Sequence, residues 1–167
     1  MRAIVQRVSS ATVEAQEKVV GSIGLGLVVF VGIGKQDKSD DADYIVGKVL
    51  NLRIFPDALG RFDKSCLDIN ASLLIVSQFT LYANTRKGRR PSFARAALPE
   101  EALQAFELVV ERFRSSGLHV ATGCFGQHMV VKLINQGPVT IWLDSNDRLS
   151  PREEKRTLES ICLSIAG

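Results

Sequence analysis

A chain of 167 residues with 46% hydrophobic and 23% charged residues has the size and balance of one globular domain that buries its own core, which excludes collagen-like and disordered chains. The formal net charge of +3 and the sequence pI near 8.9 permit contact with nucleic acid or an anionic substrate without requiring it. Cys66, Cys124 and Cys162 form no Cys-x-x-Cys pair and have only His119 and His128 as imidazole partners, so neither a disulfide framework nor a metal site is expected, and no cofactor is implied.

The N-terminal residues carry Arg2 and Arg7 without a signal-peptide pattern, and no apolar run reaches membrane-spanning length. A cytoplasmic protein with reduced thiols and no membrane contact is expected. Residues 2–8 and 12–20 are rich in β-formers and read as two strands joined by a turn at Ser9-Ser10. Glycines punctuate residues 21–26, and residues 27–33 follow as a buried strand. Ser39, Asp40 and Asp41 start a helix whose apolar face carries Ile45, Val46, Val49 and Leu50 and which ends before Phe55-Pro56. Residues 57–70 read as a long loop or irregular hairpin. Residues 73–79 form a strand of near-continuous hydrophobicity, the pattern of a strand covered on both faces. A second helix spans residues 99–114, with Pro99 at its start and Leu103, Phe106, Val109, Val110 and Phe113 as its stripe. Three closing strands are expected at 119–122, 129–135 and 139–144, with glycine-containing turns between them. Together these make an α+β domain with mostly antiparallel pairing over residues 1–145. Residues 146–167 read as an extension, helical or disordered, in which Ser150-Pro151-Arg152-Glu153 is a capping box and Leu158, Ile161, Cys162 and Ile165 share a helical face.

Three stretches could carry chemistry. Ser77-Gln78-Phe79-Thr80-Leu81-Tyr82 places hydrogen-bonding side chains at the end of an apolar strand, where they either face a ligand or bond their own backbone. Asn135-Gln136-Gly137-Pro138-Val139-Thr140 is either a hairpin turn or a glycine-proline loop that aims carbonyl oxygens in a fixed direction. Arg86-Lys87-Gly88-Arg89-Arg90 is either a solvated loop or a phosphate-binding run. The two histidines stand in no serine-elbow or metal-ligand spacing, which argues against a Ser-His-Asp or metal-dependent hydrolase.

Met1-Arg2-Ala3-Ile4-Val5-Gln6-Arg7-Val8, Leu52-Arg53-Ile54-Phe55, Ser77 to Tyr82, Lys87-Gly88-Arg89-Arg90-Pro91-Ser92-Phe93, Gly123-Cys124-Phe125-Gly126 and Gly137-Pro138-Val139-Thr140 together resemble the D-aminoacyl-tRNA deacylases in order and spacing. The resemblance runs from residue 1 to about residue 145. It implies mostly antiparallel sheets forming a barrel-like or layered core with two main helices, to which an extra C-terminal helix would be added here. It implies hydrolysis of the ester between a D-amino acid and the 3′ end of tRNA, with glycyl-tRNA accepted as well. Ser77, Gln78, Phe79 and Thr80 would form the catalytic pocket, with the backbone N–H of Phe79 as oxyanion donor and water assisted by the adenosine 2′-hydroxyl as nucleophile. Thr80 as a covalent nucleophile is the rival, disfavoured because no base stands beside it. The resemblance further implies a homodimer in which a cis Gly137-Pro138 loop enters the partner's site and excludes L-enantiomers by a clash. Arg7 would hold that loop, Met129 would form pocket wall, and Arg86, Lys87, Arg89 and Arg90 would contact tRNA phosphates. The chain departs from the family pattern at Gln136 and His128, where acidic residues are usual. A tRNA or DNA binding module that keeps the basic loop but has lost catalysis, and an editing deacylase that removes a small L-amino acid from a mischarged tRNA, are the alternative functions.

Overall fold

A computed structural model describes residues 1–149. The chain opens with β1 (Arg2–Ala15), returns as β2 (Lys18–Ile23) and then β3 (Gly26–Gly32), and enters α1 (Ser39–Asn51). A small hairpin of β4 (Phe55–Pro56) and β5 (Phe62–Lys64) precedes β6 (Ser72–Ser77) and a 3₁₀ turn (Phe79–Tyr82). Next come α2 (Pro99–Arg114), β7 (Val120–Thr122), β8 (Met129–Asp144) and a second 3₁₀ turn (Ser145–Leu149). The capping box and amphipathic helix expected within residues 150–167 lie outside the described residues.

The main sheet runs β2-β1-β3-β6-β7, and β8 pairs with β1. β8 follows β1 along its length, while β3 and then β2 take the other edge of β1. Because β2 also packs onto β6 and β7, the sheet curls into a nearly closed barrel. Most pairings are antiparallel, but β3–β6 and β6–β7 are parallel. Parallel neighbours need long crossovers, and α1 and α2 lie within those two connections. The helices pack on each other and cover one face of the sheet.

Two cores result. Ala3, Val5, Leu27, Val29, Val31, Leu73 and Ile75 face α1 and α2, where Ile45, Val49, Phe106, Val109 and Phe113 meet them. Val8, Ala11, Val13, Ile23, Val28, Leu74 and Val76 fill the barrel side. β3 and β6 contribute to both cores, which accounts for their unbroken apolar sequences.

The N-terminal hairpin differs from expectation. Ser9 and Ser10 make no turn; they lie inside β1, and the chain reverses at Gln16-Glu17, with φ of 50° and 63°. Two consecutive positive φ values match the right-handed twist of the flanking strands in a two-residue hairpin. β1 instead carries irregularities at Gln6/Val8 and Val8/Ser10 against β8. They shift its alternation: Ala3 and Val5 face the helix-side core, whereas Ala11 and Val13 face the barrel side.

The closing strands differ for the same reason. Residues 129–144 are one strand, and Gly137-Pro138 is no hairpin turn. Between the Gln6–Thr140 and Val8–Asn135 pairs, β1 advances two residues while β8 advances five. The surplus of β8 bulges out as the glycine-proline segment, in which the Gly137–Pro138 peptide is cis.

Candidate active site

The C-terminal end of β6 opens onto a cavity of about 760 Å³. Its walls are apolar: Val31, Ile33 and Val76 from the sheet, Phe93 and Ala96 to Pro99 from the segment entering α2, and Phe125, Met129 and Val131 around the start of β8. Ser77, Gln78, Gln127, His128 and Lys35 supply the polar groups. An apolar concavity with a few convergent polar groups is the usual form of a small-molecule site.

Ser77, Gln78 and Phe79 sit on this cavity because β6 ends there and the chain tightens into a 3₁₀ turn. The Gln78 N–H donates to the Val31 carbonyl at 2.7 Å, which ties the start of the turn to β3. The first N–H groups of a helical turn have no acceptor within it, and among the described residues neither Phe79 nor Thr80 donates its N–H to another group. The Phe79 ring is 58% exposed and meets Phe93 edge-on at 4.9 Å between centroids. Thr80 lies off the cavity wall; its exposed hydroxyl accepts from the Gln78 amide at 2.5 Å.

The far end of the turn is clamped from beneath. The Arg2 guanidinium donates to the Leu81 carbonyl at 2.9 Å, pairs with Asp144 at 3.0 Å and lies 4.6 Å from the Tyr82 ring centroid. The Tyr82 hydroxyl donates to Asp37 at 3.1 Å, and the Met1 ammonium reaches both Asp37 and Ser145 at 2.6 Å. Burial, reinforced by the negative charge of Asp37, pushes the Tyr82 phenol well above its ordinary value, so it stays a neutral donor. Burial alone would raise Asp144, but the Asn146 N–H and Arg2 outweigh it and hold this carboxyl below its usual 3.8. A depressed carboxyl adds stability that is present above the unfolded pKa and lost as pH falls through the lower folded value. In acid titrations followed by circular dichroism, Asp144→Asn is therefore expected to melt below the parent at pH 7, with the gap narrowing below about pH 3.8.

Arg7 and Gly137-Pro138 occupy a different place. Neither lines the cavity of its own chain. Arg7 is buried at 7% exposure; its guanidinium donates to the Ile54 carbonyl and, at 3.1 Å, to the Gln136 carbonyl, and stands 5.3 Å from the Phe62 ring centroid. Asn135 pins the loop's base, accepting from the Val139 N–H and donating to the Thr140 hydroxyl, both at 2.9 Å. Val139 is buried in the helix-side core, while Gln136, Gly137 and Pro138 are exposed. Gly137 has φ of +130°, and a Cβ there would lie 2.9 Å from the Arg7 guanidinium.

Met129 lines the cavity, and Arg86, Lys87, Arg89 and Arg90 are exposed in the loop after the turn, away from the cavity wall. The opposite wall, Phe93 to Ala102, and Lys35 carry no periodicity or motif that marks them in the sequence as pocket residues. Burial pushes the Cys66 thiol up to about 11, which leaves it inert. No group of His, Cys, Asp and Glu among the described residues could hold a metal ion, and no described helix is long and apolar enough to cross a membrane.

The family model described as D-Tyr-tRNA(Tyr) deacylase matches residues 4–144. A D-aminoacyl-tRNA deacylase of Dehalococcoides mccartyi (strain ATCC BAA-2100) is 51% identical over 152 residues, covering 91% of this chain and 99% of the relative. One from Thermotoga petrophila is 53% identical over 146 residues, covering 87% of this chain and 98% of the relative. Among solved structures, a protein described as c-Myc DNA Unwinding Element Binding Protein superposes with a TM-score of 0.81 at 37% identity, over 91% of this chain and 100% of the other. A probable eukaryotic D-amino acid tRNA deacylase shares the fold with a TM-score of 0.75 at 17% identity, over 85% of this chain and 97% of the other. The family-model match over residues 4–144 and relatives more than half identical over most of the chain place it in the D-Tyr-tRNA(Tyr) deacylase family.

Proposed function

We propose that this protein hydrolyses the ester of D-aminoacyl-tRNA, releasing the free D-amino acid and tRNA, as a homodimer acting in the cytoplasm. The observation that carries the reading is the 3₁₀ turn at the cavity mouth, which leaves the Phe79 and Thr80 N–H groups without an acceptor among the described residues. An aminoacyl-adenosine seated against Phe79 and Met129 would direct its ester carbonyl at these donors. Water adds to the carbonyl carbon, helped by the adenosine 2′-hydroxyl, and the developing oxyanion is held by the Phe79 N–H. The bond to the 3′-oxygen then breaks, and that oxygen takes the proton the water gave up.

Selection for the D-configuration is assigned to the Gly137-Pro138 loop of a second copy. The loop is exposed and does not line the ester cavity of its own chain, which suits delivery to a neighbour. Held there by Arg7, its carbonyls would leave no space for an L side chain, while glycine would pass. Arg86, Lys87, Arg89 and Arg90 would neutralise tRNA phosphates. Gln136 and His128, standing where acidic residues are usual, remove no backbone donor, so activity is retained.

Incubation with D-tyrosyl-tRNA and L-tyrosyl-tRNA tests this reading: release of D-tyrosine alone is expected, and equal rates would refute it. Tight, salt-dependent tRNA binding without turnover would instead point to a binding module. Thr80→Ala is expected to keep activity within about tenfold of the parent, because among the described residues its hydroxyl bonds only Gln78 and has no base beside it. A loss of many orders of magnitude would identify Thr80 as the nucleophile.

A further inference from the structure

Beside the ester cavity lies a second concavity of about 430 Å³, and Lys35 and Ala94 line both. Residues 33–35 run antiparallel to 95–97: Gly34 bridges Ala96, the Lys35 N–H donates to the Arg95 carbonyl at 3.2 Å, and the Ala97 N–H donates to the Ile33 carbonyl at 3.0 Å. This pairing sets Lys35 next to Arg95. Lys38, just before α1, and Arg148, from the second 3₁₀ turn, also line the concavity.

Two carboxylates line it, and both are engaged. Asp37 accepts from the Met1 ammonium, the Gly34 N–H and the Tyr82 hydroxyl. Asp41 accepts from Arg148 at 2.6 Å and from the Lys38 N–H at 2.8 Å. Lys35, Lys38 and Arg95 are exposed and form no ion pair with a described residue. A strip of positive charge that no described carboxylate pairs therefore starts at the ester cavity and leads away from it. It lies outside the basic loop and forms no charge run in the sequence, because Lys35 and Arg95 are far apart along the chain.

We propose that Lys35, Lys38 and Arg95 bind the backbone phosphates of the RNA strand that enters the ester cavity. The inference rests on the deacylase reading and assigns to that site the path of the nucleotides preceding the terminal adenosine. A terminal adenosine in the cavity must continue into a polyanionic strand, and this strip offers cations, unpaired among the described residues, contiguous with it. Contacts of this kind carry no sequence information and weaken with salt.

The test compares Lys38→Gln/Arg95→Gln with the parent on two substrates, D-tyrosyl-tRNA and D-tyrosyl-adenosine, which has no phosphates. KM for the tRNA is expected to rise about tenfold or more with kcat unchanged. The slope of log K against log salt should shrink by about 0.7 for each phosphate that the variant no longer neutralises. Hydrolysis of D-tyrosyl-adenosine should be unchanged, and Lys38→Arg/Arg95→Lys should restore the parent KM. An unchanged KM and salt slope on the tRNA would overturn the proposal, as would an equal loss on both substrates. If the parent cleaves neither substrate, the deacylase reading fails by itself. The strip is then judged by fluorescence anisotropy with deacylated tRNA, where weaker, less salt-dependent binding by the variant supports it and identical binding refutes it.

Discussion

Arg7→Ala is expected to lower D-aminoacyl-tRNA hydrolysis by about a hundredfold while leaving a folded, less stable protein. Arg7 joins two elements that nothing else on its side chain's path connects, the Ile54 carbonyl near β4 and the Gln136 carbonyl at the glycine-proline bulge. No carboxylate pairs with it among the described residues, so carbonyl dipoles and the Phe62 ring hold the charge. Truncation leaves the buried Ile54 carbonyl without its donor, at a cost of about 1–3 kcal/mol. In a domain of this size that is several degrees of melting temperature. The loss of rate has another origin. The loop to which we assign enantiomer selection loses its strut, and a misplacement of about 1 Å is worth roughly a hundredfold. Arg7→Lys should recover little, because an ammonium on a flexible stem cannot span two carbonyls and lie against the ring as a planar fork does. Single-turnover rates beside thermal melts would check this; a fully active Arg7→Ala protein would mean that Asn135 and Val139 hold the loop unaided.

Gly26→Ala is expected to have the largest effect on folding. Gly26 faces Ser72 where β3 and β6 run parallel, and a Cβ there would lie 1.9 Å from the Ser72 carbonyl oxygen and 2.8 Å from its carbon. The obstacle is backbone, which cannot rotate away like a side-chain tip. The two strands buried on both faces would have to separate. A loss above about 4 kcal/mol follows, a large part of the stability of an ordinary domain. Gly47→Ala is the matched control: it lies inside α1 with nothing within 4 Å of the added Cβ, and alanine there should stabilise by about 0.5–1 kcal/mol. Urea midpoints of the two variants should move in opposite directions. A soluble Gly26→Ala protein with the parent midpoint would contradict this account of the β3–β6 junction.

The helices, β3 and β6 were legible because each has one dominant local signal, a helical stripe or an unbroken apolar run. The end of β6, where Ser77, Gln78 and Phe79 line the cavity, stood out as a polar end on an apolar strand. What misled was continuity. Ser9-Ser10 and Gly137-Pro138 look like turns, yet both lie within long paired strands, because long-range pairing between β1 and β8 absorbs the surplus residues as bulges. Conversely, the actual reversal at Gln16-Glu17 uses residues with no turn signature, held at positive φ by strands on both sides. The far wall of the cavity and the Lys35–Arg95 pairing escaped notice because contacts across some sixty positions leave no local pattern.

The shift of alternation in β1 also bears on how the molecule comes apart. β3 and β6 serve both cores along their whole length through their two faces, whereas β1 serves them in turn. Here a single strand is the last layer of the helix-side core before the bulge and of the barrel-side core after it. Arg7, at the crossing, fastens the glycine-proline loop to that junction. Neither half can melt without unfastening the strand the other half relies on, so the protein opens as one cooperative unit. The loop assigned to enantiomer selection thus has the rigidity of the whole fold behind it, although it protrudes into solvent.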